Sequence, residues 1–82
     1  MPQLEILLFA IARDLAGADS ICVDIDLPTT AGELMQAIGA NHPVLAPWIG
    51  SCRLAVDQAF APSDQRIERV VEIALIPPVS GG

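Results

Sequence analysis

The chain has 82 residues, 52 % of them hydrophobic, enough for one small domain spanning 1–82 and too few for two. Ten acidic residues against four basic ones, all arginine, give a net charge of −6, which excludes nucleic acid and anionic membrane as expected partners and favours basic protein surfaces. Cys22 and Cys52 stand without a CxxC pair and with one histidine in the chain, so zinc, a metal site and a secreted disulfide framework are not expected; both read as reduced thiols of a cytoplasmic protein.

The uncharged run from Ile6 to Ala12, between Glu5 and Arg13, is too short for a spanning helix or a signal peptide. From Gln3 to Ile11 the chain alternates weakly, with Leu4, Ile6, Leu8 and Ala10 on one face and Glu5, Leu7 and Phe9 on the other. Apolar on both sides beyond Glu5, this strand belongs inside a sheet. Arg13 to Ser20 supplies the polar and glycine residues of a turn. Ile21, Val23, Ile25 and Leu27 then alternate with Cys22, Asp24 and Asp26, so a half-exposed second strand completes a hairpin.

Thr30 followed three residues later by Glu33 has the spacing of a capping box, and Leu34, Ala37 and Ile38 fall on one helical face behind it. Gly39 and Asn41 weaken the far end and Pro43 stops the helix. Val44 to Ser51, with Pro47, Trp48 and Gly50, reads as a loop, its tryptophan packed over the core. Arg53 to Val56 forms a third strand, Asp57-Gln58 a tight turn, and Ala59 to Ala61 a short fourth strand ended by Pro62-Ser63-Asp64. Val71 to Ile76 is the last strand. First and last strands apolar on both faces suit a central, adjacent pair, giving an α+β fold: a mixed sheet of four to five strands with one main helix across one face.

Pro77-Pro78 forbids both helix and further pairing, so the globular body ends at residue 76 and residues 77–82 form a tail. An extended tail reaches at most about 20 Å, at 3.3 to 3.6 Å per residue. Gly81-Gly82 carries no side chains, so its carboxylate is expected to thread a channel too narrow for other residues.

Catalytic equipment is sparse: one histidine, no tyrosine, no glycine-rich phosphate loop. His42 reads as a helix-end imidazole, and Asp24 and Asp26 as a solvated or partner-facing surface. The Gly82 carboxylate remains as the reactive group. Ionised, it is a poor electrophile, so a partner enzyme must activate it with ATP as an acyl-adenylate; no cofactor is expected on the chain itself. Replacing the adenylate by sulfide yields a thiocarboxylate, a soft sulfur nucleophile. A chain without lysine also offers an activated acyl group no side-chain ammonium to attack, though arginine-rich composition alone accounts for that lack.

The residues Ala74-Leu75-Ile76-Pro77-Pro78-Val79-Ser80-Gly81-Gly82 resemble the C-terminal signature of molybdopterin synthase small subunits, a ubiquitin-like sulfur-carrier family of the ThiS/MoaD type. Leu8-Phe9-Ala10 with Arg13 and Gly17 is similar to that family's first strand and turn, and Leu54-Ala55-Val56-Asp57 to its third strand. The resemblance implies a β-grasp fold whose Gly82 is adenylated by an E1-like enzyme, thiocarboxylated, and inserted into a large synthase subunit to donate sulfur to a pterin precursor, in a hetero-oligomer. Because the first and last strands are apolar on both faces and one helix is available to cover them, Leu7, Phe9 and Leu75 are expected to border a partner contact, with Arg13 at the sheet edge and Pro77, Pro78, Val79 and Ser80 of the tail. Carriers for thiazole, cysteine or tRNA thiolation share the same terminal chemistry, and a covalent protein modifier or a non-covalent ubiquitin-like module are the other classes open to this sequence.

Overall fold

The structure, a computed structural model, describes residues 3–78. In chain order its elements are β1 (Gln3–Leu8), α1 (Ala10–Ala16), β2 (Ser20–Asp24), β3 (Thr29–Thr30), α2 (Ala31–Asn41), α3 (Ala46–Ile49), β4 (Arg53–Val56), β5 (Ala59–Ala61), β6 (Arg66–Ile67) and β7 (Ile73–Ile76). Leu4, Ile6 and Leu8 are buried while Gln3 and Glu5 are exposed, so the two-residue period of β1 sends one face into the core. β7 repeats the pattern with Ile73 and Leu75.

β1 lies at the join of two pairings, antiparallel with β2 and parallel with β7, and β7 in turn pairs antiparallel with β4. The resulting order is β2-β1-β7-β4-β5, with first and last strands adjacent and interior as their two-sided apolar character requires. Asp57 and Gln58 both have positive φ, 50° and 69°, which fits the left-handed turn that joins β4 to β5 without splaying them.

α2 covers the inner face of the sheet. Its capping box is complete: the Glu33 amide donates to Thr30 Oγ1 at 3.2 Å, and the Thr30 amide donates to Glu33 Oε1 at 3.2 Å. Two further orphan donors of the first turn, Ala31 N–H and Gly32 N–H, reach the carbonyls of Gln65 and Ser63 at 2.9 Å. Ala31, Leu34 and Ile38 then join Leu4, Ile6, Ile21, Val23, Leu54, Ile73 and Leu75 in one core cluster. Each of these larger side chains contributes roughly 1.5–3 kcal/mol on burial.

Several expectations are corrected, and one strand pairing was not anticipated. The strand ends at Leu8 rather than Ile11, and the expected turn contains a helix, α1, which buries Ala12. α1 closes on Gly17, whose φ of 70° and N–H bond to the Arg13 carbonyl make a left-handed cap. β1 and β2 are therefore antiparallel neighbours linked through a helix, not a tight hairpin. The expected loop at 44–51 holds the short helix α3, with Pro47 in its first turn, where a missing N–H costs nothing. Finally, β3 and β6 pair as a small second sheet that ties the chain around Arg66 to the start of α2. Among the described residues, no helix is long and apolar enough to cross a membrane.

Candidate functional site

The face of the sheet opposite α2 has no covering element among the described residues, and the strand registers state what stands on it. Ser20, Leu7, Ala74, Ala55 and Phe60 are successive partners across all five strands, forming one row. Leu7, Ala74 and Ala55 are half-buried, and Phe60 is 57 % exposed. The row above it contains Ile76 and its partner Arg53, and the parallel register continues to bring Phe9 beside Ile76. Phe9 is 46 % exposed, too much for a core residue of this size.

Two depressions meet at Phe9 and Ile76. One, of about 280 Å³, is bordered by Ala55, Gln58, Phe60 and Ala74; the other, of about 830 Å³, by Ala10, Ile11, Trp48, Pro77 and Pro78. Together they make an apolar strip running from the β4–β5 turn to the place where β7 hands over to Pro77 and Pro78. Trp48, expected over the core, instead forms the outer wall of this strip at 36 % exposure, because α3 holds it at the surface.

Of the expected partner-contact residues, Phe9 and Pro78 line the strip, Leu7 stands beside it as the strand partner of Ala74, and Pro77 borders it while buried. Leu75 is a correction: it is fully buried and points into the core, since its period-2 neighbours Ala74 and Ile76 take the outer face. Arg13 is exposed on α1 rather than on the sheet. Val79, Ser80, Gly81 and Gly82 lie outside the described residues. Sequence reasoning did not single out Ala55 and Phe60 as surface neighbours of Phe9 and Ile76; they stand on two further strands, β4 and β5, and pairing register alone brings them to the same face.

Elsewhere the chemistry is quiet. His42 caps the end of α2, its N–H donating to the Ile38 carbonyl at 2.9 Å, and its Nε2 lies 3.5 Å from the Cys22 carbonyl. Cys22 is exposed, Cys52 is buried, and burial pushes the Cys52 thiol up from its ordinary value. No group of three metal-ligating side chains occurs among the described residues.

Relatives share both sequence and shape with this chain. The molybdopterin synthase sulfur carrier subunit of Dictyostelium discoideum is 39 % identical, with 98 % of this chain and 96 % of that protein covered. The crystal structure of SAMP1 from Haloferax volcanii superposes with a TM-score of 0.83 at 28 % identity, covering 99 % of this chain and 100 % of that one. The complex of subunits 1 and 2 of molybdopterin-converting factor from Helicobacter pylori contains a chain matched with a TM-score of 0.67 at 22 % identity, 99 % and 100 % covered, which speaks to the fold. The architecture is thus the ubiquitin-like β-grasp. The profile of the ThiS family matches residues 6–82, and the chain belongs to that family.

Proposed function

We propose that this chain is the sulfur-carrier subunit of a molybdopterin synthase acting in the cytoplasm. The observation that carries the reading is the full-length, 39 % identity to a protein of that name. In the proposed cycle an E1-like adenylyltransferase joins the Gly82 carboxylate to AMP from ATP, releasing pyrophosphate. A sulfide donor then attacks the acyl carbon, the acyl–oxygen bond to AMP breaks, and a thiocarboxylate remains. Bound to the large synthase subunit, the carrier's sulfur bonds to a carbon of the pterin precursor in place of an oxygen substituent, and water then cleaves the acyl–sulfur bond, leaving the sulfur on the pterin and the carrier as the carboxylate. ATP is consumed on the activating enzyme, and the carrier holds no cofactor.

The apolar strip supports this reading because it supplies a docking surface contiguous with Pro77 and Pro78, so a partner seated on Phe9 and Ile76 also meets the start of the tail. The proposed contacts are Leu7, Phe9, Ala55, Phe60, Ile76 and Pro78. Val79, Ser80, Gly81 and Gly82 are proposed as the segment the partner receives.

The test is intact mass after incubation with ATP, a sulfide source and the activating enzyme, followed by reconstitution with the large subunit and precursor. A mass gain equal to oxygen replaced by sulfur, then molybdopterin formation, is expected. Thiocarboxylate without molybdopterin reassigns the chain to another thiolation pathway. A second reading, a protein modifier, draws on the likeness to SAMP1, a small archaeal modifier protein; conjugates to target amines in place of thiocarboxylate turnover would establish it.

A further inference from the structure

Below the apolar row of the open sheet face, one register step toward the start of β1, stands a row of carboxylates. Glu5 is two residues before Leu7 on β1, and Glu72 two residues before Ala74 at the start of β7; both are exposed. Asp57 lies beside Glu72 at the end of β4: the Asp57 amide donates to the Glu72 carbonyl at 2.8 Å, and the Glu72 amide donates to Asp57 Oδ1 at 3.3 Å. Asp24, partnered with Gln3, continues the acidic edge on β2. The open face is therefore apolar in its middle and at the tail side, and anionic along the opposite side.

Arg53 is the one cation that the strand registers place on this face, and it stands on the tail side over Phe60. A second copy of the chain is a poor occupant, because it would bring four carboxylates and one arginine against the same set. We infer that the open face docks a partner surface whose apolar centre is edged by a row of lysine or arginine side chains, which pair with Glu5 and Glu72, whereas Asp57 borders a depression with the chain's own Arg66 and Arg69. This rests on the proposed synthase assembly and assigns the charge chemistry of the partner in it. The row also fixes direction: with cations over Glu5 and Glu72, the partner's apolar centre falls on Leu7 and Ala74, and its far side on Phe9, Ile76 and the strand exit. Coulomb attraction from a rim of this kind acts mainly on the association rate, while the apolar strip sets the lifetime of the complex.

The test measures association of the full chain with the large synthase subunit, at about 0.05 M and about 0.5 M salt, where the screening length falls from more than 10 Å to a few Å. For the wild type the association rate is expected to fall roughly tenfold or more across that range. Glu72→Lys and, separately, Glu5→Lys are each expected to weaken low-salt affinity about tenfold, with the neutral Glu72→Gln in between. Asp64→Lys is the control: it makes the same charge change on the α2 side, next to Ser63, whose carbonyl bonds Gly32. It is expected to cost less than about threefold, the share due to net charge alone. Circular dichroism checks folding of each variant, and two independent reversals guard against one that misfolds. Salt-insensitive binding, or equal losses in Asp64→Lys and Glu72→Lys, overturns the inference and leaves the synthase reading standing. Failure of the wild type to bind the large subunit at either salt overturns the synthase reading and the inference with it.

Discussion

The guanidinium carbon of Arg53 lies 4.3 Å from the centroid of the Phe60 ring, directly above an edge aromatic that the protein leaves 57 % exposed. A cation over an exposed ring gains only about 0.5–1 kcal/mol. The register explains the contact, because Phe60 pairs with Ala55 and Arg53 is two residues from Ala55 on the same face. In a urea-unfolding double-mutant cycle, Arg53→Ala and Phe60→Leu should show a coupling of at most about 1 kcal/mol. Phe60→Ala should weaken partner binding by more than it lowers stability, since a preset ring is a contact made in advance. A stability loss of about 3 kcal/mol, the scale of a core aromatic truncation, would place Phe60 in the core instead.

Gly32 shows how tightly the segment between β5 and β6 is drawn against α2. A Cβ there would stand 3.2 Å from the Ser63 carbonyl oxygen and 3.3 Å from Ser63 Cβ. Alanine would ordinarily gain up to about 1 kcal/mol over glycine within a helix. Here overpacking against a hydrogen-bonded backbone costs about 1–3 kcal/mol, so Gly32→Ala is expected to destabilise. Thr30→Ala, which removes the side-chain acceptor of the capping box, should cost about 1 kcal/mol. Both are read from the midpoint of urea unfolding at constant slope.

Much of the central sheet was legible because its signals are local and strong. The period-2 burial of Leu4, Ile6 and Leu8, the Thr30–Glu33 spacing and the Asp57-Gln58 turn each depend on a few neighbouring residues. α1 was not legible: Phe9-Ala10-Ile11 continues the apolar run of β1, and only Gly17 as a left-handed cap marks the helix. β3 and β6, two residues each, carry no periodicity and exist through pairing between chain-distant segments. On the site, Phe9 was visible from the strand pattern. Leu75 was misplaced because a strand apolar on both faces does not say which parity faces inward; register with β1 decides it.

That parity gives a paired prediction. Leu75→Ala empties a fully buried position at the sheet centre and should cost about 2–5 kcal/mol. Ala74→Arg, one residue earlier on the open face, should leave stability within about 1 kcal/mol, yet abolish partner association by placing a large side chain in the middle of the apolar row. Unfolding curves and pull-down with the large subunit separate the two effects.

Removing Gly82 should abolish thiocarboxylate formation while leaving the unfolding midpoint unchanged, because a terminal glycine has no side chain to bury and the core cluster among the described residues already runs from Leu4 to Leu75. A shift larger than about 1 kcal/mol, the size of an ordinary structural substitution, would show that the terminus contributes to the fold.

Thiocarboxylate chemistry on this protein has to be read against two thiols, and their environments differ. Cys22 faces solvent on β2, while Cys52 is buried within the core cluster. A thiol titration of the native protein should therefore consume one equivalent fast, at Cys22, and the second only as the chain opens. Burial pushes the Cys52 thiol up from 9.0, because desolvation disfavours the thiolate. The folded state then holds that proton at pH values where the unfolded chain has released it. The stabilisation is complete below the ordinary thiol value and is lost as pH rises from about 9 through the raised value. Wild-type stability should decline across that alkaline range, and Cys52→Ala, though less stable overall, should lose this part of the slope. An equal alkaline slope in both proteins would assign the effect to another group.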